Sequence, residues 1–171
     1  MKKTKALLIS YLAGYFDGKG CIFAKFEPDK KYCNLSLEVD SRYDKKPLNL
    51  MFSMFGGKVD IRWSERDQKC FYHWQLEDVK KIRKALKLML PFLRTKLFQA
   101  QLGIRLAERI IIGTKKRLWS KNHPLSEHEK TKREEIVKQL KELKTQISYE
   151  LKLAETKRKD STTSAEAIVQ K

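Results

Sequence analysis

Few of the residues able to do chemistry in this sequence stand at spacings that would let them act together. The cysteines Cys21, Cys33 and Cys70 are odd in number and lack a metal-type pairing, and the histidines His73, His123 and His128 are scattered. That argues against a zinc site and fits small core or strand residues in a reducing compartment. The first apolar stretch ends in Asp17-Gly18-Lys19-Gly20, a carboxylate and an ammonium each followed by a glycine. A carboxylate can ligate a hard cation, whereas an ammonium has donors only. Elsewhere basic side chains dominate: 38 Lys and Arg against 21 Asp and Glu, a net charge of +17 on 171 residues. Such a field favours polyanions, namely DNA, RNA or an acidic membrane surface. The bland alternative is a well-solvated or thermally adapted surface, which usually carries both signs.

The elements that must position these residues follow from periodicity. An apolar content of 41% is enough for one globular core. Lys5 to Phe16 has helical spacing at Leu8, Leu12, Tyr15 and Phe16. Cys21 to Glu27 reads as a strand. Cys33 to Asp40 alternates cleanly, as a strand with one buried and one wet face does. Pro47 to Phe55 is a short helix closed by Gly56 and Gly57, and Lys58 to Arg66 and Lys69 to Leu76 form a second strand pair. Glu77 to Leu90 is an amphipathic helix broken by Pro91, and Arg94 to Ile112 is a further helix stopping near Gly113. The order predicts an α+β domain: a four-stranded antiparallel sheet with helices on one face.

Residues 1–113 are read as this core domain. Residues 114–154 are read as a basic loop and a C-terminal helix, opened by a capping box at Ser126 and Glu129. It docks through Ile136, Leu140, Leu143, Ile147 and Leu151, and 155–171 are read as a flexible tail. No apolar run reaches bilayer-spanning length. Tyr15, Phe16 and Asp17 stand where a signal-peptide cleavage site needs small residues, so the expected location is cytoplasmic or organellar, not secreted.

The run Leu12-Ala13-Gly14-Tyr15-Phe16-Asp17-Gly18-Lys19-Gly20 resembles the LAGLIDADG motif of homing endonucleases, whose usual form ends in Asp-Gly-Asp-Gly or Asp-Gly-Glu-Gly. The element order and the later Pro91-Phe92-Leu93-Arg94-Thr95-Lys96 run extend the likeness over about Leu7 to Ile112. The resemblance implies an αββαββα fold, a double-stranded DNA partner and, with one motif copy, a homodimer on a pseudo-palindromic site. Its interface would hold Leu8, Leu12, Ala13, Gly14 and Phe16, the small Ala13 and Gly14 letting two helices approach closely. Sheet parity then assigns the groove-facing residues: Phe23, Lys25 and Glu27; Asn34, Ser36, Glu38 and Asp40; Asp60, Arg62, Ser64 and Arg66; Phe71, His73 and Gln75. Arginine suits guanine, and asparagine or glutamine suits adenine. Lys30, Lys31, Lys45, Lys46, Lys115, Lys116 and Arg117 would serve phosphates.

The resemblance also implies Mg2+-dependent phosphodiester cleavage, with the acidic residue between the two motif glycines holding the metal. That position is Lys19 here. The Gly18 carbonyl alone would bind a cation weakly, and Asp17 in the family pattern caps and orients the helix end. Lys96 matches a basic residue near the scissile phosphate, and Ser41 falls roughly where a polar residue positions water. Cleavage is therefore expected to be impaired while duplex recognition remains. A non-cleaving DNA-binding regulator and an RNA-binding intron-splicing factor are the alternatives.

Overall fold

The computed structural model describes residues 3–27, 32–65, 67–119 and 126–146. Helix α1 (Lys3–Lys19) leads without an intervening loop into strand β1 (Gly20–Glu27), followed by β2 (Tyr32–Ser41), α2 (Lys46–Phe55), β3 (Lys58–Ser64) and β4 (Lys69–Leu76). Then come α3 (Val79–Met89), a 3-10 turn (Leu90–Phe92), α4 (Leu97–Trp119) and a last helix, α5, over residues 127–146. The four strands form one antiparallel sheet in the order β1-β2-β4-β3. Among the described residues no helix is long and apolar enough to cross a membrane.

The period-2 pattern delivers one buried apolar row in β1, β2 and β4, while in β3 only Val59 packs on the core and Ile61 and Trp63 are exposed. Ile22, Ala24, Leu35, Leu37, Val39, Trp74 and Leu76 are buried, and they meet buried Leu12 and Phe16 of α1, Met51 of α2, Leu86 of α3 and Leu106 of α4 in one core. The Trp74 indole N–H is satisfied by the Gly56 carbonyl at 2.9 Å. Asp78 caps α3, accepting from the Lys80 and Lys81 amides at 2.9 and 3.0 Å.

Two expectations are corrected here. Helix α4 does not stop at Gly113 but runs to Trp119, so 114–119 are helical and not part of a loop. A glycine inside a helix is unfavourable by only about 1 kcal/mol relative to alanine, which neighbouring turns can offset. The capping box at Ser126 is only half formed. The Ser126 hydroxyl accepts from the Glu129 amide at 3.3 Å, while the Glu129 carboxylate turns to Arg109 at 2.7 Å and Arg133 at 3.0 Å. Arg133, itself buried, also donates to the Arg109 carbonyl at 2.8 Å, so this cluster and buried Ile136, Val137 and Leu140 hold α5 on α4. Ile147 and Leu151 lie outside the described residues, as do 120–125.

Gly57 marks the tightest backbone approach behind the sheet. It has φ +95°, and a Cβ there would stand 2.3 Å from the Gln75 carbonyl oxygen. Both strain and overlap oppose any side chain. Gly57→Ala is expected to lower unfolding free energy by at least about 2 kcal/mol in urea denaturation; an unchanged midpoint would contradict this packing.

Candidate nucleic-acid interface

The sheet face opposite the helices is built by register. Cys21 pairs with Glu38, Glu38 with Gln75, and Gln75 with Lys58. The next row toward the end of α1 is Asp40, His73 and Asp60, followed by Arg62 with Phe71 and Ser64 with Lys69. On the other side lie Phe23 with Ser36 and Lys25 with Asn34. The residues assigned by parity therefore share one face. Arg66 lies outside the described residues, as do the side chains of Glu27, Lys115, Lys116 and Arg117.

The face is not uniformly open. Ser36 (6% exposed) donates to Glu38 Oε1 at 2.7 Å, and His73 (2% exposed) has Nδ1 2.6 Å from Asp40 Oδ1. Both were expected to face a ligand; instead they position the carboxylates beside them. Ser41 is also buried, its hydroxyl accepting from the Asp44 amide at 3.3 Å in the turn after β2. Lys45 holds its ammonium 5.9 Å from the ring centroid of Tyr72, whose side chain shares the parity of Trp74 on the helix side, away from the polar face.

The end of α1 meets the start of α4. The Asp17 carboxylate accepts from three consecutive backbone amides, Arg94 at 2.6 Å, Thr95 at 3.2 Å and Lys96 at 2.9 Å, and the Lys96 ammonium donates to the Asp17 carbonyl. Burial pushes Lys96 below the ordinary lysine value, while Asp17 and Cys21 pull it back up and Lys144 lowers it further. A lowered folded-state value means the charged form is disfavoured by folding at neutral pH, and that penalty is relieved as pH rises through the folded value. Lys144 of α5 donates to Cys21 Sγ at 2.9 Å and lies 5.6 Å from the Phe23 ring centroid. Lys19 is exposed at the helix terminus. Gly20 makes this junction tight, because a Cβ there would stand 2.3 Å from the buried Phe16 ring.

This corner does not fit a divalent cation. Lys19 offers no lone pair, and Asp17 is engaged by three amides. Among the described residues no three His, Cys, Asp or Glu side chains gather as a metal site.

Helix α1 is apolar on two sides. Leu12, Ala13 and Phe16, expected at an interface, have no exposed surface and belong to the core. The outward stripe is Leu7 (63% exposed), Tyr11 (50%), Gly14 and Gly18, with Leu8 at its flank. A Cβ on Gly14 or Gly18 would meet nothing within 4 Å. The spacing 7, 11, 14, 18 is itself a helical stripe and could have been read.

No protein-family model and no curated protein matches the chain. Solved structures do. A crystal structure of the homing endonuclease I-CvuI in complex with its target matches with a TM-score of 0.63 and 17% identity, over 82% of this chain and 83% of that one. The archaeal intron-encoded homing endonuclease I-Vdi141I, complexed with DNA, gives 0.63 and 14% over 81% and 85%. I-TnaI gives 0.58 and 16% over 81% and 97%. The chain has the LAGLIDADG homing endonuclease fold. In that fold the motif helix of this chain is α1, and its terminal turn is where Asp17, Gly18 and Lys19 stand. Lys144 and the Arg62 to Gln75 contact on the sheet escaped the sequence reading, since neither lies in a motif.

The Asp17 contacts make it a cap rather than a ligand. Asp17→Ala is expected to destabilise the fold by about 1–2 kcal/mol, the range of lost N-caps. Amide exchange at 94–96 should accelerate by a factor of ten or more. Unchanged protection there would refute the capping role.

Proposed function

We propose that this chain binds double-stranded DNA site-specifically as a homodimer, on the scaffold of a metal-dependent DNA endonuclease, with phosphodiester cleavage impaired by Lys19. The observation that carries it is the polar sheet face set beside a helix with an outward apolar stripe. Leu7 and Tyr11 put an exposed apolar stripe on the outer side of α1, and Gly14 and Gly18 on the same stripe let a second copy of α1 approach closely. Two such polar sheets side by side give a long saddle on a chain whose net charge is +17, and twofold symmetry implies a pseudo-palindromic target. That I-CvuI and I-Vdi141I are complexes with DNA supports the reading. So does I-GzeII, where the match takes up only 41% of a longer chain, leaving room there for a second unit.

In the dimer, Lys19, Lys96 and Lys144 of each copy serve the backbone phosphates near the C-terminal end of its α1. An ammonium attracts a phosphate where a carboxylate would repel it unless a cation stood between them. Binding by this chain therefore needs no divalent cation.

Two measurements test this. Duplex affinity of the wild-type chain is expected to be unchanged by a chelator, with no cutting in Mg2+. Lys19→Glu is expected to bind more weakly in chelator and to cut in Mg2+ at least about a hundredfold faster than wild type, since metal stabilisation of the transition state is worth several kcal/mol. Equal cutting by both proteins would refute the assignment of Lys19. Gly14→Glu is expected to give a folded monomer in sedimentation and to lose tight duplex binding; an intact dimer would exclude the α1 interface.

A further inference from the structure

We propose that Arg62 reads one guanine in each half-site and that Gln75 is the positioning residue that aims it. This rests on the DNA-binding reading above. The Arg62 Nη2 donates to Gln75 Oε1 at 3.0 Å. The Gln75 amide nitrogen donates to Glu77 Oε1 at 3.0 Å and to Glu38 Oε1 at 3.4 Å, and Glu38 Oε1 also accepts from Ser36 at 2.7 Å. The amide orientation is chemically determined: a guanidinium only donates and ionised carboxylates only accept, so the oxygen must face Arg62 and the nitrogen the two glutamates.

Gln75 therefore cannot act as the adenine reader that its residue type suggests. Reading adenine takes one amide donor and one acceptor together, and both its amide hydrogens are already committed. What it offers the groove instead is an arginine held at one nitrogen. A guanidinium has five N–H donors; the fork that remains matches the O6 and N7 acceptors on the guanine major-groove edge. Tethering one nitrogen removes part of the rotamer freedom that an exposed arginine would lose on binding. Arg62 pairs in register with Phe71, and Gln75 with Lys58, so the side chain must lie along the sheet past the Asp40, His73 and Asp60 row to reach its partner. It is directed rather than waving.

Charge separates this role from a phosphate contact. The cluster Arg62, Glu38 and Glu77 sums to −1 from one cation and two carboxylates. On a chain of +17, a net-negative island is a poor anchor for a polyanion. It suits a neutral base edge, where hydrogen-bond geometry decides.

Selection of bound duplexes from a randomised library, by the wild-type chain, Arg62→Ala, Arg62→Lys and Gln75→Leu, tests the proposal. The wild-type consensus should contain guanine at one pair of mirror-related positions. Arg62→Ala should lose about tenfold or more of its preference at that pair alone, the range of one bidentate contact. Arg62→Lys should not restore it, and Gln75→Leu should weaken the same positions and no others. The slope of affinity against salt should stay the same in all four. Matching consensus sequences for wild type and Arg62→Ala would overturn the proposal, as would uniform weakening with a shallower salt slope. Those results leave duplex binding intact; no enriched duplex at all would overturn the DNA-binding reading with it. Arg62 is exposed, and coincident thermal melts for the four proteins check that folding is unaffected.

Discussion

The structure hinges on one carboxylate. Asp17, on the last turn of α1, accepts from the amides of Arg94, Thr95 and Lys96. That contact joins residues 77 to 79 positions apart. It ties the last turn of one helix to the opening of another, accepting from three amide donors where the chain turns after Leu93. Because α1 passes directly into β1, the contact also sets where the first strand begins. The register of the whole sheet follows from that strand.

Two kinds of surface are then placed side by side. One side of α1 disappears into the core through Leu12, Ala13 and Phe16, and the other carries Leu7 and Tyr11 to the outside. The sheet turns its apolar rows to the helices and its polar rows outward, but the polar rows are not a loose brush of side chains. Asp40 is held by His73, and Glu38 by Ser36 and Gln75. A surface whose hydrogen bonds are already arranged loses less entropy when a partner arrives.

The sequence made most of the sheet legible because period-2 alternation carries an apolar row of both β1 and β2 into the core, whereas β3 leaves Ile61 and Trp63 exposed. It misled at α1 for a physical reason. When a helix is apolar on two faces, spacing cannot say which face is core, and the smallness of Ala13 suggested an interface although that residue is packed inside. The burial of Ser36 and His73 was not legible either, since it depends on cross-strand neighbours far away in sequence. Gly113 was overread as a stop, since the turns on either side carry the helix across it. Lys144 reaches Cys21 across 123 positions, a contact no local pattern announces.

One consequence follows from the joint at Gly20. The Phe16 ring leaves no room for anything but hydrogen there, so the residue before it is presented to solvent at a fixed place while packing against nothing in the core. A position like that is a socket: its occupant can be exchanged without disturbing the wall it is set in. The neighbouring Asp17 has no such freedom. On the function proposed above, one codon's change at residue 19 would separate cutting a polymer from merely gripping it.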